Sequence, residues 1–252
     1  MNYYTACGEL ARVYLYKEDY SKSLENATEV INANKFPWSL KEDVFKSKIG
    51  QRDKIFYPEL ISCWYMAGRT LREQLEGYYS NDNAAYSPTI AQKDLIFEKG
   101  SVGVDDWRWI QWFRDVPSTN STSRALLVKY VVNPDADGNL HPMVAPAMRL
   151  SEMYYIAAEA SFDADKTKAI NYFNTVREHR GIGDGLPASI DKTEFLRQLI
   201  IECRKEFFSE GQVFYMYKRL NRDITNTNGM VYSAGDKIFV LPLPIDEQAY
   251  RN

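Results

Sequence analysis

The sequence is poor in the residues that carry nucleophilic, metal and nucleic-acid chemistry. It holds two histidines, three cysteines and no cationic surplus, with 31 Lys and Arg against 34 Asp and Glu for a formal charge of −3. Without excess positive charge there is little to neutralise phosphates, which argues against a nucleic-acid partner. Cys7, Cys63 and Cys203 are odd in number and far apart, so neither a disulfide framework nor a metal-ligand spacing is expected. They read as buried free thiols. His179 lies late in a helical stretch among Arg177, Glu178 and Arg180 and reads as a solvated or capping residue. His141, ahead of Pro142, has no triad partner or ligand set nearby. Glycine loops that cradle phosphate and a nucleophile elbow are both missing, and no cofactor or metal is expected. No apolar run approaches the roughly 20 residues of a membrane span. The stretch from Met1 to Arg12 also lacks the basic start and unbroken apolar core of a secretory signal.

What is present is globular and aromatic. Of the 252 residues, 45% are hydrophobic and 26% charged, enough for a substantial core. Tyr, Phe and Trp number 18, 12 and 5, and rings with a polar edge suit both packing and ligand contact. Apolar residues at helical spacing predict a hairpin over about 3–33, with Ala6, Leu10, Val13 and Tyr14 before a turn at Glu18-Asp19, and Tyr20, Leu24, Ala27, Val30 and Ile31 after it. Leu10, Ala11, Tyr14, Tyr20, Leu24 and Ala27 fall at tetratricopeptide offsets, where small residues let helices approach closely. A second hairpin is predicted over about 148–181, a helix from Met148 to Ala160 with a partner from Thr167 to Arg180 and a stop at Gly181. Aligning Ala169-Ile170 with Ser23-Leu24 brings Ala157, Phe173 and Val176 into register with Ala11, Ala27 and Val30. This is a repeat whose two units stand about 115 residues apart.

Between the hairpins, an insertion at about 55–146 has other rules. Lys54 to Met66 reads as a strand, and 77–92, polar and tyrosine-rich, as a loop of the length that is often functional. Trp107, Trp109 and Trp112 cluster beyond it and read as core. Leu126 to Val132 and Asn139 to Val144 read as arms of a β-hairpin around an Asp-Gly turn. A helix from about Thr193 to Glu210 stops at Gly211, followed by an aromatic segment at 213–217. The expectation is one mainly α-helical domain spanning 1–252, with short strand pairs in the insertions.

Two acidic constellations remain. Asp105-Asp106 beside Trp107 and Arg108 is the best glycosidase pair, but adjacent residues point apart and seldom face each other across a sugar bond. Glu202, Glu206 and Glu210 line one helix face at spacing four and would repel one another without cations. Arg149, Arg177 and Arg219, with Arg204 in the same helix, are candidates for a structural ion network.

Read as whole motifs, these segments resemble the SusD/RagB family. The arginine-led helix from Met148 to Ala160 is similar to one the family carries, followed by Val176-Arg177-Glu178-His179-Arg180-Gly181 in the pattern Val-Arg-x-x-Arg-Gly. The run from Glu202 to Asn221 looks like the family's most specific signature, and Val240 to Glu247 like its proline-rich close. Trp107-Arg108 and Lys129-Tyr130 fall where members carry Asp-x-Arg and Lys-Tyr. The resemblance covers essentially the whole chain as the C-terminal half of a family member about twice as long, with the lipoprotein signal and lipidated cysteine not among these residues.

It implies a SusD-like α/α fold of tetratricopeptide-like hairpins, irregular loop insertions and short β-hairpins. It also implies a non-catalytic receptor on the outer-membrane surface that captures oligosaccharides and passes them to a SusC-like TonB-dependent transporter. Sugar rings stack on aromatic faces while polar side chains satisfy their hydroxyls. On that basis Tyr78, Tyr79, Asn81, Asp82 and Tyr86, with Trp64 and Tyr65 near the loop's base, are the expected glycan site. The alternatives are a peptide-gripping tetratricopeptide scaffold and, behind it, a glycosidase; the wide separation of the hairpins favours ligand binding by the insertion.

Overall fold

The computed structural model describes residues 2–65, 69–81, 84–117, 122–131, 141, 144–244 and 247, without the side chains of 69–72. The chain divides into two compact units, Met1–Glu206 and Phe207–Asn252, where the sequence leads one to expect a single domain.

The frame of the first unit is four helices. α1 (Tyr3–Tyr16) starts where Asn2 accepts the Thr5 amide, and α2 (Tyr20–Asn32) where Asp19 accepts that of Lys22. Both are side-chain caps for otherwise orphaned N–H groups. The turn between them puts Glu18 at φ 60, so the helices fold back antiparallel. A one-turn helix, α3 (Lys41–Val44), and a strand, β1 (Leu60–Tyr65), come next. After the insertion, β4 (Val144–Arg149) leads into α7 (Leu150–Ser161) and α8 (Lys166–Glu178), the latter capped by Asp165.

The two hairpins, far apart in sequence, are in direct contact: α2 packs on both α1 and α7, and α7 on α8. Cys7, Ala11, Ala27, Val30, Met153, Ile156 and Ala157 are buried in one cluster. Of the ten positions aligned in the repeat, Ala11, Ser23, Ala27, Val30, Ala157, Ala169, Ile170, Phe173 and Val176 are buried, and Leu24 is half-buried. Alanine at the crossing points lets the helix backbones come close, and Ser23 Oγ reaches across to donate to the Ala11 carbonyl at 3.0 Å.

The insertion carries α4 (Arg69–Tyr79), α5 (Ile90–Ile96), α6 (Trp107–Gln111), β2 (Phe113–Val116) and β3 (Arg124–Leu127). The expected loop at 77–92 is therefore shorter. Strong helix formers from Leu71 to Glu76 carry α4 past Gly77, and the amides of Ser80 and Asn81 both close on the Glu76 carbonyl.

The expected hairpin around residue 135 is also corrected. β3 pairs antiparallel with β2, from Phe113↔Leu127 to Val116↔Arg124, whereas β4 pairs with β1, from Leu60↔Arg149 to Tyr65↔Val144. The Asp-Gly turn itself, with Val132 of the first arm and Asn139, Leu140, Pro142 and Met143 of the second, lies outside the described residues. Because Met148 and Arg149 belong to that second ladder, the helix they were expected to open begins at Leu150. Of the described residues of Lys54 to Met66, only 60–65 are strand, and Met66 lies outside them. Cys7 and Cys203 are buried, but Cys63 is exposed, against expectation, on the half of β1 where Trp64 and Tyr65 are exposed as well.

α9 (Lys192–Glu206) completes the first unit four residues earlier than the sequence suggests. In the second unit, Ser209 and Gly211 adopt left-handed backbone at φ 67 and 84, which breaks the helix and starts α10 (Gln212–Arg219) on the aromatic segment. A two-residue ladder, β5 (Ile224–Thr225) with β6 (Val231–Tyr232), and a single turn, α11 (Asp236–Phe239), follow. No helix among the described residues is long and apolar enough to cross a membrane.

Candidate functional site

Three tyrosines converge at the C-terminal end of α4. Tyr78 and Tyr79 occupy its last turn, and Tyr86 comes back from the following segment with its amide donating to the Tyr78 carbonyl at 2.8 Å. Ring centroids lie 6.5 Å apart for Tyr78–Tyr79, 5.8 Å for Tyr78–Tyr86 and 6.1 Å for Tyr79–Tyr86. The planes are inclined by 42 to 69°, so no two rings lie flat on one another. Tyr78 is 47% and Tyr86 65% exposed, which leaves ring surface free for a ligand. Asn81 is exposed beside them, and Asp82 lies outside the described residues.

Ser80 Oγ donates to the Leu127 carbonyl at 2.6 Å, and the Ala125 amide to the Pro88 carbonyl at 2.9 Å, tying Ser80 and Pro88 to β3. Trp64 and Tyr65, both 70% exposed, are on β1 at the other end of α4, a helix about 16 Å long at 1.5 Å per residue. As neighbours in a strand they point to opposite faces. Among the described residues no ring contact joins either to the tyrosines. The structure thus brings together Tyr78, Tyr79, Asn81 and Tyr86, and does not bring Trp64 or Tyr65 to them.

The acidic constellation is a second, buried assembly. Glu206 accepts from Arg108 Nη1 at 3.0 Å, Arg180 Nη2 at 2.8 Å and Ser151 Oγ at 2.7 Å, with Arg149 Nη1 at 3.7 Å. Glu202 accepts from Arg108 Nη2 at 2.9 Å and Lys205 Nζ at 2.9 Å, with Arg177 Nε at 4.0 Å. Asp106 is clamped to Arg108 at 2.7 Å, and Glu59 to Arg180 at 2.9 Å. Asp106, Arg108, Arg180, Glu59 and Glu206 have no exposed surface.

Burial alone would raise these carboxyl pKa values, but the cations outweigh it. Arg108, Lys205 and Arg177 hold Glu202 at about 2, and Arg180, Arg108 and Arg149 hold Glu206 well below the ordinary range. Arg108 is pulled the other way: its burial favours deprotonation, yet Asp106 and Glu202 raise it well above its usual value.

Of the residues expected in this network, Arg149, Arg177, Glu202 and Glu206 stand together. Arg204, on the same helix, makes no ion pair with a described residue, and Glu210 falls beyond the helix end in the second unit. Glu59, Asp106, Arg108, Arg180 and Lys205 were not foreseen as members. Arg180 and Arg108 were nonetheless visible as motif arginines, whereas Glu59 left no signal.

Asp106, weighed earlier as half of an acid/base pair, instead caps α6 and neutralises Arg108, while Asp105 is exposed. His179 caps α8 and stacks on Trp38 at 4.3 Å, and His141 stacks on Tyr57. Trp112 is fully buried, whereas Trp107 and Trp109 are only partly so. Among the described residues no group of three or more His, Cys, Asp or Glu could hold a metal ion.

The model of the SusD family matches residues 104–252. A SusD-like protein, P2, from Formosa agariphila is 27% identical over 282 residues, covering 95% of this chain and 56% of the relative. A SusD superfamily protein from Bacteroides thetaiotaomicron superposes with a TM-score of 0.76 at 24% identity, over 99% of this chain and 59% of that one. A SusD-like carbohydrate binding protein from Bacteroides vulgatus gives 0.72 at 16% identity, over 99% and 58%. The chain spans a little over half the length of these relatives.

Proposed function

The chain belongs to the SusD family, and from that premise we propose that it captures oligosaccharides on the Tyr78–Tyr79–Tyr86 platform without transforming them. One observation carries the reading: three mutually inclined tyrosine rings, two of them about half exposed or more, are gathered on one hydrogen-bonded frame beside Asn81. Aromatic faces bind the C–H-rich sides of sugar rings, and phenol and amide edges serve hydroxyls. The carbohydrate-binding relative from Bacteroides vulgatus supports the same ligand class. Delivery to a SusC-like TonB-dependent transporter at the outer-membrane surface is the corresponding role in uptake, with Trp64 and Tyr65 available as a separate contact for a long chain.

Native electrophoresis through gels cast with soluble starch, xylan, laminarin or pectin tests this. The chain should be retarded in at least one gel, and the Tyr78→Ala and Tyr86→Ala variants should lose most of that retardation. Free migration of the unaltered chain in all four, or full retardation of both variants, overturns the proposal.

The peptide-scaffold reading keeps one observation in its favour, since α1, α2, α7 and α8 pack as consecutive repeats despite the long insertion. Its signature would be saturable peptide binding that survives loss of the tyrosines.

A further inference from the structure

Tyr86 is the most exposed ring of the platform, in contact with Tyr78 and Tyr79 on one side only. Its position depends on the backbone to either side. One side chain holds both flanks: Arg124, partly buried on β3, donates through Nε to Ser87 Oγ at 2.7 Å and through Nη2 to the Ala84 carbonyl. The same strand residue bridges Thr89, and Ala84 is itself buried, with its amide closing on the Asn81 carbonyl at 2.9 Å. A planar guanidinium presents donors in a fixed fork. Two acceptors three residues apart, held by one such fork, add a side-chain clamp to the backbone bonds of the Tyr86 amide to Tyr78 and the Ala125 amide to Pro88.

We propose that Arg124 is a positioning residue for ligand capture, pinning the Ala84–Ser87 turn so that Tyr86 stands about 6 Å from Tyr78 and Tyr79 before any ligand arrives. This rests on the reading of the three tyrosines as the glycan platform. A turn ordered in advance spares the ligand the entropy of ordering it, so the gain appears as affinity. Lysine cannot replace the fork, because its ammonium is a point donor that serves both acceptors poorly.

The test uses the full chain carrying 3-fluorotyrosine, with the three platform resonances assigned by single Tyr→Phe changes, together with affinity electrophoresis in whichever polysaccharide gel retards the unaltered chain most. Arg124→Ala should weaken binding roughly tenfold and shift the Tyr86 fluorine resonance, with guanidinium ion at low millimolar concentration restoring part of both. Arg124→Lys should fall between, and Ser87→Ala should shift the same resonance by less. If Arg124→Ala leaves the Tyr86 resonance and the affinity unchanged while Tyr86→Ala loses binding, the positioning role is refuted and the platform survives. If Tyr78→Ala and Tyr86→Ala both bind as the unaltered chain does, the platform fails and this proposal with it. A general structural defect would shift resonances across the spectrum and would not respond to guanidinium, which also refutes the role.

Discussion

Glu206 accepts hydrogen bonds from two guanidinium groups and a hydroxyl in a site that water does not reach. Removing one charge from such a set leaves its partners buried and uncompensated, which typically costs about 3–5 kcal/mol. Glu206→Gln should therefore lower the unfolding free energy by about that much, measurable as a reduced urea midpoint at unchanged slope. Titration probes the same assembly. Glu202 ionises at about 2 in the folded chain against 4.5 ordinarily, so the unfolded state binds its proton first as acid is added. Its stabilisation is complete above pH 4.5 and drains away as pH falls towards 2. Denaturant midpoints measured through that window should drop steadily, and a flat profile would show that these carboxylates are not held ionised. In the sequence, spacing and a run of motif arginines made an ion network at Glu202 and Glu206 legible. Glu59 was not legible, because its partner Arg180 is 121 residues away.

At the scale of elements, the hairpins depend on small residues at helix crossings. Ala11 is fully buried where α1 meets α2, and its carbonyl receives the Ser23 hydroxyl. Ala11→Leu should force the helices apart and cost about 1–3 kcal/mol, lowering the Tm by several degrees. The neighbouring Leu10→Ala, at a position 44% exposed, should stay within about 0.5 kcal/mol. Equal effects of the two would contradict the packing described. The hairpins were readable because a 3.6-residue period and a glycine stop are local properties. Strand partners were not, since β3 turns back to β2 and β4 reaches across the insertion to β1, and neither choice is encoded in either strand alone.

For the molecule as a whole, the proposed capture on phenol rings, with a formal charge of −3, makes stacking, not charge, the expected source of affinity. Raising salt from about 0.05 to 0.5 M shortens electrostatic reach several-fold and should change polysaccharide binding little. A steep fall in retardation over that range would instead indicate an ionic ligand contact.

The sequence by itself determined the family, the two hairpins, their repeat register and the presence of an aromatic-rich insertion, because each is written in local period and motif. Only the tertiary structure decided that the hairpins touch, that the rings of Tyr78, Tyr79 and Tyr86 lie about 6 Å from one another, and that Arg108 and Arg180 complete the ion network. Those outcomes depend on where a helix ends and which distant strand it meets, and long-range packing fixes both.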